Sequence, residues 1–274
     1  MSLLSLSRVI LALGPRGGAA GLAGRHATGE QAPVRYPNDP AEGTTPESAA
    51  RGLARRAFAE FKGRAKSAKV LLSSHLVRQM LVPWSAELSG DQEEIAAVRH
   101  HFRRIHGDAA LGWAFRYSAS EDEATCVACA IEQSLVDGLR EEAAANGIRL
   151  DSVQPSLAAN FNRWRARFDV QAGLFALVED DRYACAQFRG GAWAALHCGR
   201  LGPELGLDGL LARQLSLAAD EPSACPVWLR MPGAAPARDF EIEGAQVRLL
   251  RPEAGQFDAT VEDAAFTATA APGS

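Results

Sequence analysis

Residues 68–168 decide the fold. AKVLLSSHLVRQMLVPW (68–84) is two short apolar runs around a Ser-Ser-His turn. GDQEEIAAVRHHFRRIHG (90–107) has the spacing of an amphipathic helix, with Ile95, Val98, Phe102 and Ile105 on one face. WAFRYS (113–118) and ATCVACAIEQ (124–133) read as strands. SLVDGLREEAAANG (134–147) is a helix carrying Leu135, Val136 and Leu139 inward and stopping on Gly147. IRLDSVQPS (148–156) and LAANFNRWRARF (157–168) add one more strand and helix. Strands alternating with helices at this density predict an α/β protein with mixed sheets flanked by helices. The predicted arrangement pairs 68–84 as an antiparallel hairpin in one sheet with 124–132 and 148–153.

Working outward, a first hairpin is expected over residues 1–26, where SRVILALG and AAGLAG flank a Gly-Pro-Arg-Gly-Gly turn. The opening LLSLSRVILALG is read as a β-strand rather than a signal peptide, because Arg8 interrupts its apolar run and no basic segment precedes it. Residues 27–52, rich in Pro, Gly, Thr and acids, are expected as a flexible loop. Leu53 to Gly63 reads as a short helix, and 53–170 as the remainder of a first half. A second half is expected over 171–258. It opens with the meander AGLFALVEDDRYACAQFRGGAWAALHC (172–198), turning at 179–181 and 189–191. A helix at 207–220 and three closing strands, PVWLRMP, FEIEG and AQVRLL, follow. Residues 259–274 lack periodicity and are expected as a disordered tail.

The chain is long enough, at 274 residues, to bury a sizeable core. Its formal charge of -4 gives no electrostatic case for nucleic acid. Its apolar runs are strand-sized, far short of the roughly 20 residues that cross a bilayer. Five cysteines, an odd number, suit reduced thiols in the cytoplasm. Cys126 and Cys129 form a CxxC, but inside a strand they face opposite ways and cannot share one metal. The Leu157, Phe161, Trp164, Phe168 stripe should face the core. Arg163, Arg165 and Arg167 should then form a basic outer face, either solvated or docking an acidic partner.

Three segments together carry a resemblance: SSHLVRQMLVPW (73–84), ACAIEQSLVDGLREEAAANGIRLDSVQPSLAANFNRW (128–164) and GLFALVEDDRYACAQFRGGAW (173–193). Their order resembles the actin-like (ribonuclease H-like) fold of two halves. It is more narrowly similar to the actin-like assembly proteins of type IV pili and type II secretion, the PilM and GspL cytoplasmic proteins. The resemblance implies nucleotide-binding turns in ATP-binding members, each combining Asp with Gly. The first turn here, LALGPRGGAAGL, offers Gly14, Gly17 and Gly18 for close approach to phosphates, yet has no acid, and Pro15 lacks an amide donor. The second, Glu179-Asp180-Asp181-Arg182, is acidic without Gly; Asp180 and Asp181 are weak candidates for a Mg²⁺ shell.

Other chemistry is thin. No GxxxxGK[ST], HExxH or GxSxG occurs. His100, His101 and His106 share a helix without metal-pair spacing. Ser74 and His75 could join Glu87 or Asp91 as a nucleophile set, though nothing in the sequence positions them together. No catalytic residue, cofactor or metal is therefore assigned. The resemblance implies a cytoplasmic, non-catalytic scaffold that binds a membrane-embedded pilus or secretion component, or the assembly motor ATPase. The alternative is an active nucleotide-binding member of the actin-like superfamily.

Overall fold

A computed structural model describes residues 7–23, 32–39, 41, 45–85, 87–88, 90–119, 124–168, 171–218, 225–253 and 255–266. The first half is built on a five-stranded sheet of β1 (Arg8–Leu13), β2 (Gly17–Ala23), β3 (Val34–Pro37), β4 (Ser67–Leu72) and β8 (Arg149–Pro155). Its order is β3-β2-β1-β4-β8, with β1 antiparallel to β2 and parallel to β4. β1 is apolar after Arg8 because both its faces are covered. Val9, Leu11 and Leu13 point to the side of α1 (Pro46–Glu60) and α3 (Gln133–Ala145). Ile10 and Ala12 point to the side of α4 (Ser156–Trp164) and α6 (Phe257–Phe266).

A separate small sheet orders β5 (Arg78–Pro83), β7 (Thr125–Glu132) and β6 (Trp113–Ala119), with α2 (Asp91–His106) against it. Val98 and Phe102 of α2 meet Val82, Phe115 and Cys126 in its core. Cys126 is buried there, while Cys129 faces the core of the five-stranded sheet, so the CxxC thiols do diverge.

The second half is a six-stranded sheet containing β9 (Ala172–Glu179), β10 (Arg182–Arg189), β11 (Ala192–Arg200), β12 (Val227–Arg230), β13 (Phe240–Ile242) and β14 (Ala245–Leu249). The order is β11-β10-β9-β12-β14-β13. α5 (Gly206–Ala218) covers one face. An aromatic cluster of Phe175, Phe188 and Trp228 covers the other and receives Leu157, Trp164 and Phe168 from α4 and the turn after it. The predicted stripe is thus core, with Phe161 half-buried among Phe168, Phe188 and Trp193.

Three expectations differ from what is found. Residues 68–84 do form two strands, but not a hairpin. β4 lies between two parallel neighbours, and β5 pairs with β7 in the small sheet. The turn is a corner because the amide and hydroxyl of Ser74 both donate to Glu179 of the second half, at 2.7 and 2.5 Å. Within 27–52, β3 pairs with β2, and α1 begins at Pro46 under a Thr45–Ser48 capping box. Residues 27–31, 40 and 42–44 of the expected loop lie outside the described residues. The expected tail instead contributes α6, whose Ala259, Val261, Ala264 and Ala265 pack on the first sheet; residues 267–274 lie outside the described residues. The chain therefore returns from the second half to cover the first, which no local periodicity announces.

Candidate functional site

The ends of β1 and β4 and the β9–β10 turn meet where the halves join. Arg16, in the β1–β2 turn, forms a forked ion pair with Asp180, its Nε donating to Oδ2 at 2.9 Å. Asp180 sits at φ 56, a conformation Asp tolerates better than most side chains. Asp181 accepts from Arg200 at 2.8 and 3.1 Å and from His75 Nε2 at 2.7 Å. Those donors push its carboxyl down to about 2. Burial pulls the His75 imidazole below its usual value, against the opposing pull of Asp181. His75 is therefore more than a turn residue: it ties the β4–β5 corner to the second half.

Behind this layer lies a buried polar network. Glu179, at the end of β9, is fully buried, and desolvation with the nearby Glu262 carboxylate raises it to about 7, partly offset by Ser74. Its Oε1 has no hydrogen-bond partner among the described residues. Glu262 of α6 accepts from Ser156 and from Asn160 at 2.8 and 3.0 Å. Arg230 of β12, 1% exposed, reaches Glu262 at 3.4 Å and Asp263 at 2.6 Å. Arg163 joins the same group. Its side chain is 11% exposed, donates to Asn160 at 2.9 Å and lies 3.8 Å from Glu262. It is not part of an outer basic face. Arg165 is exposed, and Arg167 pairs with Glu253. The three-arginine docking surface does not exist as one surface, because the helix ends at Trp164 and Arg163 turns inward.

The glycines of the first turn have a local explanation. A Cβ on Gly17 would stand 2.6 Å from the Tyr36 carbonyl oxygen, and one on Gly18 2.8 Å from that of Ala12. Both are needed for β2 to approach its neighbouring strands. A Cβ on Gly14 would stand 3.4 Å from the Phe266 ring. The space between the turns, about 320 Å³, is lined by Arg16, Tyr36, Asp180 and Phe266 among others.

A Mg²⁺–nucleotide, which this fold carries in its ATP-binding members, does not fit these residues. His75, Asp180 and Asp181 bring potential ligand atoms within 4.8 Å of one another. Each already has a partner, however: Arg16 reaches from the first turn to Asp180, and Arg200 and His75 hold Asp181. A nucleophile set is not assembled either. Ser74 is held by Glu179, while Ser73, 3.5 Å from His75 Nδ1, is buried beyond reach of a substrate. Arg16, Arg230 and Glu262 are the residues that sequence reasoning missed, while Ser74 and Glu179 were named there in other roles. Glu179 and Arg230 carried a signal, as charges closing the apolar runs ALVE and VWLR.

The strand orders, the parallel β1–β4–β8 core and the facing hairpin turns define an actin-like ATPase fold. A Bacteroides thetaiotaomicron protein with this fold and unknown function superposes with a TM-score of 0.55 at 14% identity, over 85% of this chain and 84% of its own. The PilM–PilN type IV pilus biogenesis complex matches at TM-score 0.63 and 14% identity, covering 95% and 98%. The cytoplasmic domain of EpsL, an inner membrane component of the type II secretion system of Vibrio cholerae, matches at 0.58 and 11%, covering 94% of both chains. The resemblance drawn from the sequence is therefore met at the level of the fold. No family model and no curated protein matches the sequence. Among the described residues, no helix is long and apolar enough to cross a membrane.

Proposed function

We propose that this chain is a non-catalytic scaffold of a type IV pilus or type II secretion-like assembly, working on the cytoplasmic side of the inner membrane. It binds a membrane component or the motor ATPase through protein surfaces. One observation carries the reading: the Arg16–Asp180 pair closes the gap where phosphates would lie, with Asp181 held by Arg200 and His75. A fold kept whole with its nucleotide turns tied together serves as a rigid platform rather than an engine. The structural likeness to PilM and the EpsL cytoplasmic domain supports the setting. Coexpression with inner-membrane and motor ATPase components of such an assembly from the same organism tests it. A complex of fixed stoichiometry that survives gel filtration without nucleotide is expected. Failure to bind any of them, together with turnover of ATP, would overturn it.

A further inference from the structure

A second cleft opens between the halves on the side of the small sheet. It has a volume of about 510 Å³ and runs between β5 and the end of α2 on one wall and β10, β11 and α5 on the other. Three arginines line it: Arg78, Arg182 and Arg213. His106 and His197 line it too, and among the described lining residues there is no Asp or Glu. Among the described residues, no ion pair holds Arg78 or Arg213, and Arg182 feels the Asp181 carboxylate beside it only in part. Arg78 donates only to the carbonyls of His75 and Val77. The Nε of Arg182 is buried without a hydrogen-bond partner among the described residues. Burial first and then Arg78 disfavour the charged forms of both Arg182 and His106, with Asp181 opposing this at Arg182.

The cleft is apolar as well as basic. Met80 and Leu196 line it, and so do Ile105 and Leu217, which are 67% and 55% exposed. Water-facing residues of this size are few in the described chain; two of its four exposed large hydrophobics stand here. Apolar residues beside unpaired arginines are the composition of a recognition surface rather than of a solvated face.

We propose that this cleft binds an acidic segment of a partner protein that also carries apolar side chains. A free phosphate would satisfy the guanidiniums and leave Ile105 and Leu217 in water. A chain alternating carboxylates with Leu or Ile satisfies both. Arginine's fork suits carboxylates, and aliphatic rims exclude water from such pairs. The occupant touches both halves at once, so binding holds their relative position. The proposal deepens the scaffold reading and rests on it for the nature of the ligand.

Phage-displayed random peptides panned on the full chain at low and high salt test it. The expected pool is enriched in Asp and Glu interspersed with Leu, Ile or Phe, and is lost at high salt. A peptide from that pool should bind at least about tenfold more weakly to Arg213→Glu and to Leu217→Ser. Both positions are exposed, so their substitution leaves the fold intact, which circular dichroism checks. Leu111→Ser, an exposed apolar position outside the cleft, should bind as the parent does. No enriched pool, a pool without acidic bias, binding indifferent to Arg213→Glu, or complete displacement by excess inorganic phosphate would each overturn the proposal. A melting-temperature rise with Mg·ATP in the same samples would instead count against the scaffold reading, so the two fail separately.

Discussion

The two clefts between the halves hold similar residues in opposite states. Between the hairpin turns, Arg16, Arg200 and His75 are spent on Asp180 and Asp181. Between β5 and β11, the described lining has no Asp or Glu, and apolar side chains stand beside the arginines. The first cleft is internally neutralised and closes itself. The second is left needing something from outside. On the scaffold proposal, the first is a closed nucleotide place and the second the surface a protein partner uses.

The largest expected effect lies in the network that keeps the halves in place. Arg230→Ala should destabilise the protein by about 3–5 kcal/mol, because Glu262 and Asp263 lose the buried cation that serves them. Chemical denaturation measures it. A loss below about 1 kcal/mol would mean that the halves are held by apolar contacts alone.

Next come the residues of α4, which sharpen the difference between inner and outer cations. Phe161→Ala should cost about 2–3 kcal/mol, less than a fully buried aromatic, since its ring is only half-buried. Arg163→Ala should cost about 1–3 kcal/mol by stranding Asn160 and Glu262. Arg165→Ala should be neutral within about 0.5 kcal/mol. Equal effects of Arg163→Ala and Arg165→Ala in thermal melts would restore the outer basic face that the sequence suggested.

Glu179 gives a pH dependence of defined sign. Its folded value, about 7, lies above the ordinary 4.5, so the folded protein holds a proton that the unfolded chain releases. That contribution is fully present below about pH 4.5 and is lost as pH rises through about 7. Glu179→Gln keeps an acceptor for Ser74 and removes the titration. The variant should exceed the parent in stability at pH 8, on the order of 2–3 kcal/mol, and match it near pH 4. Stability curves that stay parallel from pH 4 to 8 (within about 0.5 kcal/mol) would show that Glu179 does not titrate there.

How much of this was legible in the sequence follows from the reach of each signal. The alternation of apolar residues gave β1, β4 and the meander, and helical spacing gave α2, α3 and α5. Local pattern cannot say which sheet a strand joins, so the split of β4 from β5 was hidden: it depends on Ser74 reaching Glu179, 105 positions away in sequence. α6 was missed because its buried face is made of Ala and Val, too weak a contrast to register as amphipathic. The glycines of the first turn were legible as close-approach sites, but their neighbours are strands rather than phosphates. Asp180 and Asp181 were visible as an acidic turn, while the cations that neutralise them come from three other places in the chain. The basic cleft was invisible for the same reason. Arg78, Arg182 and Arg213 are unremarkable singly and become a site only where the two halves meet.

A small stability change is also expected at the closed cleft itself. Arg16→Ala removes an exposed ion pair and should cost about 0–1 kcal/mol. A larger loss in chemical denaturation would make the pair a structural clamp, whereas a negligible one leaves it as a device that fills the phosphate gap.

The central claim, that the tied turns admit no nucleotide, is met most directly by the melting temperature of the purified chain with and without Mg·ATP. A ligand present at 100 times its dissociation constant would stabilise the fold by roughly 2.7 kcal/mol, an obvious shift for a protein of this size. The account predicts no shift at millimolar Mg·ATP and no hydrolysis above background. A clear rise, or turnover that Arg16→Ala alters, would contradict it and make the chain an active nucleotide-binding member of its fold.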